Sequence, residues 1–138
     1  MSKALHYLGI ARMSGNLELG EDNAKALVKA GKARALLVAS DTSEQARRRA
    51  EGYVYGFSTP LVDVPFTKAE IAQQVGRTGC SMVAIRDLGL ARSFMAALAA
   101  EYGGDYERVA EALTAKLEKA KARKARGKKR ETGGQVNE

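Results

Sequence analysis

Short apolar runs separated by helical segments constrain the fold of this chain more than any other feature. The three clearest runs cover residues 35–39, 61–64 and 82–85, and a weaker one covers residues 17–19. Strands rich in apolar residues on both faces are typical of a sheet that is covered on both sides. The alternation of helices with strands therefore predicts an α/β protein, a three-layer α/β/α sandwich around a small mixed four-stranded sheet.

Five segments between and around these runs have the apolar spacing of helices, and they cover residues 3–13, 22–30, 43–55, 67–75 and 88–102. Gly31 follows the second helix and is a natural stop for it. Thr67 and Glu70 stand three residues apart, which is the spacing of a capping box at the start of the fourth helix. These signals favour one folded domain over residues 1–102.

The chain changes character after Gly103-Gly104. A further helix is predicted, with an apolar stripe that can pack on the folded body or on a partner; its members are Tyr106, Val109, Leu113 and Leu117. We expect residues 103–126 to form a basic helical extension. Residues 127–138 are predicted to be a disordered tail, because they are poor in apolar residues.

The positive charge of the chain is concentrated in this extension. The net charge is +7, yet residues 1–114 are nearly neutral, with 14 basic and 13 acidic side chains. Residues 115–130 hold nine basic residues and only one acid, Glu118. Such a segment indicates either a polyanionic partner, most simply nucleic acid, or a tail that keeps the protein soluble.

Several classes of function are disfavoured by residue usage. Cys80 is the only cysteine and His6 the only histidine, so neither a disulfide framework nor a histidine-based triad or metal site is expected. Residues 76–81 resemble a phosphate loop but lack its lysine and its spacing. No apolar run reaches membrane-spanning length. The sequence therefore predicts a cytoplasmic, non-enzymatic protein without metal or cofactor.

The start of the second helix is the first candidate binding site. Gly20 allows the backbone to turn sharply and to approach a ligand, and Asp22 or Asn23 can cap the helix. Glu21 and Asp22 would repel a phosphate, but they can accept hydrogen bonds from the amino and imino groups of guanine. Lys25 projects from the same turn. The alternative is an ordinary helix start without a ligand.

Three further places carry candidate residues. Arg47 belongs to a run of three arginines, which is either a solvated helix face or a contact to an RNA backbone. Val64, Pro65 and Phe66 end the third strand; Phe66 can stack on bases, or it can hold the following helix on the core. Arg77, in the loop before the fourth strand, is available for RNA.

Read in order, these segments resemble the ribosomal L-seven-Ae / L-thirty-e family of kink-turn RNA-binding proteins. The resemblance rests on Leu19-Gly20, on residues 29–34 and 37–43, on Pro60-Leu61 and on residues 83–91. It implies an RNA-binding domain over residues 1–102, similar to the small stand-alone bacterial members. The implied partner is structured RNA, ribosomal RNA first, with a role at the ribosome or in translation. The positions carried over are Gly20, Glu21, Asp22, Asn23, Lys25, Val64, Pro65 and Phe66, with Arg77 adjacent.

The chain departs from the family pattern at one position. Strong kink-turn binders read Gly-x-Asn-Glu-x-x-Lys at this helix start, whereas this chain has Ala26 where the lysine belongs. Lys25 stands one residue earlier, about 100° around the helix. We expect a monomer that reads bases with Asp22 and Asn23. The alternative function is a protein-interaction or recruitment adaptor that uses the C-terminal helix.

Overall fold

The computed structural model describes residues 2–136, with side chains described as far as Gly127. Four strands and six helices follow one another as α1 (Lys3–Met13), β1 (Leu17–Leu19), α2 (Glu21–Lys29), β2 (Ala35–Val38), α3 (Glu44–Val54), β3 (Leu61–Asp63), α4 (Lys68–Val75), β4 (Met82–Ile85), α5 (Leu88–Tyr102) and α6 (Asp105–Val136). None of the helices in this described part is long and apolar enough to cross a bilayer.

The sheet has the order β1-β4-β2-β3 and is mixed, as predicted. Strand β4 runs antiparallel to β1 and β2, while β2 and β3 are parallel. Leu37 lies opposite Val83 of β4 and Val62 of β3, which sets the register of the three strands. Strands β1, β2 and β3 therefore point in one direction, and their carboxyl ends lie at the same end of the sheet.

Both faces of the sheet are covered, which confirms the three-layer sandwich. Leu37 and alternate strand residues pack with α1, α4 and α5, whereas Leu36 and Val38 pack with α2 and α3. All four residues of β2 and all four of β4 are buried. The uninterrupted apolar runs in the sequence thus belong to the two central strands, since only these have helices on both faces along their whole length.

The helix ends follow the predicted chemistry with one exception. Thr67 and Glu70 form the capping box at the start of α4, and Ser43 caps α3. The prediction that Asp22 or Asn23 caps α2 is wrong, because the N-cap position is occupied by Gly20. Helix α2 begins at Glu21, directly after Gly20, so the side chains of Asp22 and Asn23 belong to its first turn.

The apolar stripe of α6 packs on the body. Leu113 and Ala110 are buried in the same core as α5, and the hydroxyl of Tyr106 donates to the backbone oxygen of Asp63 at 2.6 Å. The adaptor alternative, which depended on an exposed stripe, therefore loses its structural support.

Helix α6 continues to Val136, where the sequence predicted a tail without structure from Gly127. Lys, Arg and Ala, which make up all of residues 121–130 except Gly127, are strong helix formers. Residues 137 and 138 lie outside the described part.

Candidate nucleic-acid interface

Four segments that are distant in sequence meet at one end of the sheet, and we call this end the Gly20 edge. It consists of residues 20–25, 39–43, 64–68 and 76–82. Three backbone hydrogen bonds join the segments: Gly20 N–H to the Met82 oxygen at 3.0 Å, Ala39 N–H to the Ser81 oxygen at 2.9 Å, and Ser40 N–H to the Phe66 oxygen at 2.8 Å. The parallel direction of β1, β2 and β3 therefore brings three of the predicted segments together.

The start of α2 is open because it begins with glycine. Gly20 has φ 90° and ψ 161°, a conformation that L-residues with a side chain avoid. It provides no side-chain acceptor for the N–H groups of the first turn. In contrast, the helices α1, α3, α4 and α5 each begin with a side-chain cap, namely Ser2, Ser43, Thr67 and Asp87. Helix α2 therefore presents backbone donors and the positive end of its dipole at the Gly20 edge.

Glu21 holds α2 against α3. Its carboxylate accepts two hydrogen bonds from the Arg49 guanidinium, at 2.6 and 3.0 Å, and one from the Tyr53 hydroxyl at 2.5 Å. The Arg49 hydrogen bonds, followed by that of Tyr53, lower the pKa of Glu21 to about 2. Both oxygens are thus engaged by the protein. This corrects the expectation that Glu21 accepts hydrogen bonds from a base.

Asp22, Asn23 and Lys25 remain on the surface of α2. Asp22 is exposed and faces solvent. The Asn23 amide donates to the Leu19 backbone oxygen at 2.9 Å, which fixes its orientation and leaves its own oxygen as an acceptor. The Lys25 ammonium lies 5.3 Å from the ring centroid of Tyr53. The open turn therefore carries one carboxylate, one oriented amide and one positive charge.

The segment after β3 contributes backbone and Pro65 to the edge, while its larger side chains lie in the core. Val64 and Phe66 are each 2% exposed. Phe66 packs edge-to-face on Tyr102 with ring centroids 6.1 Å apart. The expectation that the Val64 and Phe66 side chains contact RNA is therefore corrected, and of the two roles predicted for Phe66 the structure shows packing in the core. Its position directly before the Thr67 cap suits an apolar residue that holds α4 on the core.

The arginine run of α3 is neutralised within the protein. Arg47 binds both oxygens of Asp63, at 2.8 and 2.5 Å, and also Glu51. The hydrogen bond to Asp63 is the main cause that raises the pKa of Arg47. Arg48 pairs with Glu44 and Arg49 with Glu21. Arg47 is thus not free to contact an RNA backbone, which corrects that expectation.

The free positive charges of the edge come from its other segments. Arg77 is exposed, and within the described residues it forms no ion pair. Lys68 begins α4, and its backbone N–H donates to Asp41 at 2.9 Å, which links the loops after β2 and β3. Lys68 and Tyr53 were missed in the sequence. The lysine could have been found as the first residue after the capping threonine, whereas nothing local indicates Tyr53.

The fold and the Gly20 edge define a class: a small α/β/α sandwich with an open, glycine-started helix at one end of a mixed sheet. No family model matches the chain. Solved structures share the fold, among them the following two. A protein of unknown function from Bacillus halodurans C has a TM-score of 0.66, with 20% identity over 71% of this chain and 98% of that chain. The Giardia lamblia 15.5kD RNA binding protein has a TM-score of 0.59, with 17% identity over 76% of this chain and 85% of that chain.

A relative in sequence identifies the family. The RNA-binding protein YlxQ of Enterococcus faecium is 31% identical over 75 residues, which cover 54% of this chain and 72% of the relative. The chain belongs to the L-seven-Ae family of RNA-binding proteins. The resemblance seen in the sequence is thereby confirmed, and so is the fold that it implied.

Proposed function

We propose that this protein binds structured RNA of the kink-turn type through the Gly20 edge and has no enzymatic activity. The observation that carries the proposal is the open start of α2, which presents backbone donors together with Asp22 and Asn23. The membership of the L-seven-Ae family supports it, since the bacterial relative is named as an RNA-binding protein. The resemblance in sequence also assigned the RNA contact to this helix start.

The groups of the edge divide into two kinds of contact. The Asp22 carboxylate and the Asn23 oxygen can accept hydrogen bonds from base donors such as the guanine amino group. Lys25, Lys68 and Arg77 can contact phosphates, which position the RNA without reading its sequence. Because Glu21 and Arg47 are bound within the protein, they hold the helices that carry these contacts. Specificity then depends chiefly on Asp22 and Asn23.

We further propose that the bound RNA is ribosomal and that the protein acts as a monomer in the cytoplasm, at the ribosome or in translation. Unstacked and non-paired bases, such as those of a kink, are the parts of an RNA that side chains can read. Sequencing of RNA that is crosslinked to the protein in cells tests this assignment. Recovery of ribosomal fragments that contain kinked internal loops is expected, and recovery of fragments without such loops would contradict it.

An electrophoretic shift assay tests the binding mode. The wild type is expected to prefer a kink-turn RNA over the same RNA with its non-paired bases substituted. The double variant Asp22→Ala/Asn23→Ala should lose about 1–3 kcal/mol of that preference, which is the usual worth of a specific base contact. Its affinity for the substituted RNA should change little.

The control is Glu111→Ala, which removes one negative charge from an exposed position of α6. It has the same effect on net charge as the double variant but lies away from the Gly20 edge, so the preference should persist. Equal binding of both RNAs by the wild type, with equal salt dependence, would refute kink-turn recognition.

A further inference from the structure

A second positively charged surface lies at the end of the sheet opposite the Gly20 edge. Four basic side chains line a cavity of about 210 Å³ together with Ser58 and Leu88. We call these four residues the cationic cluster: Arg34, Lys116, Lys119 and Arg123. One of them belongs to the folded body and three belong to α6, so the cluster forms only when α6 packs on the body.

Strand direction fixes the distance of this cluster from the Gly20 edge. Arg34 directly precedes β2, and its backbone N–H donates to the oxygen of Ile85, the last residue of β4, at 2.7 Å. Lys116 reaches the oxygen of Ser58, before β3, at 3.4 Å. At about 3.3 Å per residue, the length of β2 places Arg34 roughly 16 Å from Ala39 at the Gly20 edge. The two surfaces are separate.

The α6 members of the cluster share one helix face. Lys116, Lys119 and Arg123 have the spacing i, i+3 and i+7, which places them above one another on the side toward Arg34. Every residue from Glu118 to Gly127 is exposed. Three other cations of this exposed segment do not line the cavity: Lys121, Lys124 and Arg126. Lys121 and Lys124 lie on other faces of the helix, whereas Arg126 shares the face but lies beyond the cavity, one turn after Arg123.

The cluster lacks the internal neutralisation seen elsewhere in the protein. Arg47, Arg49 and Arg86 each bind a carboxylate. Within the described residues, no member of the cationic cluster forms an ion pair. Like charges that share a site repel one another, and a bound polyanion removes this cost. A tail that only increased solubility would not require its charges to converge on Arg34.

We propose that the cationic cluster is a second RNA-binding surface, which contacts the sugar-phosphate backbone of a helical stem that flanks the structured element held at the Gly20 edge. This inference rests on the proposed function, because it assumes that one RNA spans both ends of the sheet. Lysine and arginine side chains that converge in a shallow, solvent-open cavity suit phosphates, which are contacted without base specificity. The RNA is thereby held at two points across the sheet.

Two triple variants of the full chain test the proposal. In the cluster variant, Lys116, Lys119 and Arg123 are each replaced by Gln; in the matched variant, the same replacement is made at Lys121, Lys124 and Arg126. Both variants lose three charges from the same exposed part of α6, and Gln preserves helix propensity. Circular dichroism should show unchanged helix content. The affinity of each variant is measured against salt concentration, with a kink-turn RNA that has a long flanking stem and with one whose stem is cut back to the kink.

With the long-stem RNA, the cluster substitutions should make the salt dependence weaker. The negative slope of log affinity against log salt should become less steep by about 3, because each lost phosphate contact removes about 1. The matched variant should change the slope in the same direction by less than half as much. The difference between the two variants should vanish with the short-stem RNA. Arg34→Gln, on the body side, should make the long-stem slope less steep by about 1.

Equal slopes for the two triple variants would overturn the inference, and so would a difference that persists with the short stem. These results are distinct from a failure of the proposed function. In that case the wild type would not distinguish the kink-turn RNA from its base-substituted form, whereas the comparison of the two variants could still be made on a plain duplex. Absence of any RNA binding by the wild type would overturn both.

Discussion

The ion pair between Glu21 and Arg49 should stabilise the folded protein in a way that depends on pH. The variant Glu21→Gln measures this contribution to the free energy of unfolding. The substitution removes the charge that binds Arg49 and Tyr53 and leaves the side-chain shape nearly unchanged. A carboxyl with a pKa lowered from 4.5 to about 2 corresponds to about 3 kcal/mol by linkage. The Arg49 side chain is 52% exposed, so solvent screens the pair, and we expect a loss of about 1–2 kcal/mol at pH 7.

The sign of the pH dependence follows from the direction of the pKa change. Because the pKa of Glu21 is lower in the folded protein than in the unfolded chain, its stabilisation is fully present above about pH 5. It is lost progressively as the pH falls from about 4.5 toward 2. The free energies of unfolding of the wild type and Glu21→Gln should therefore converge in acid, although they differ at pH 7.

Urea denaturation at pH 7, 5 and 3 provides the measurement. Glu44→Gln is the matched control, because Glu44 is also the first residue of its helix and also pairs with an arginine, Arg48. That pair is 72% and 78% exposed, so its removal should cost less than about 0.5 kcal/mol. Equal losses in both variants, or a Glu21→Gln difference that does not change with pH, would refute the reasoning.

Three further substitutions test individual parts of the fold in the same denaturation assay. Phe66→Ala should cost about 3–5 kcal/mol, because the ring is 2% exposed; a stable variant with lost RNA binding would instead identify Phe66 as a base-stacking residue. Gly20→Ala should cost about 1–3 kcal/mol, since it forces a Cβ into a backbone with φ 90°; an unchanged stability would show that the loop adapts. Tyr106→Phe should cost about 0.5–1.5 kcal/mol by removing the hydrogen bond to Asp63; no loss would mean that water replaces it.

The candidate site could be predicted only in part. Gly20 and the open helix start could be found in the sequence, because glycine allows the sharp backbone turn at the start of a helix and this effect is local. The expectation that Glu21 accepts hydrogen bonds from a base was wrong, and the sequence left two alternatives open for Arg47 and for Phe66, because the partners of these residues are distant in sequence. Arg47 and Asp63 are 16 residues apart, and Glu21 and Arg49 are 28 apart. A local pattern indicates an ion pair only where the partners are four residues apart on one helix, as for Arg48 and Glu44, and not where they lie on different elements.

The sequence by itself determined the strands, the helices and the sandwich. The spacing of apolar residues and the chemistry of helix caps act over a few residues. The buried strands and the start of α4 after Thr67 can therefore be predicted without knowledge of the fold. Only the tertiary structure decided which surface charges are available. Because α3 packs on α2, Arg49 and Tyr53 bind the carboxylate of Glu21. Because α6 packs on the body, Lys116 lies at the same cavity as Arg34. Both results depend on contacts between distant elements, because charge pairing acts through space and not along the chain.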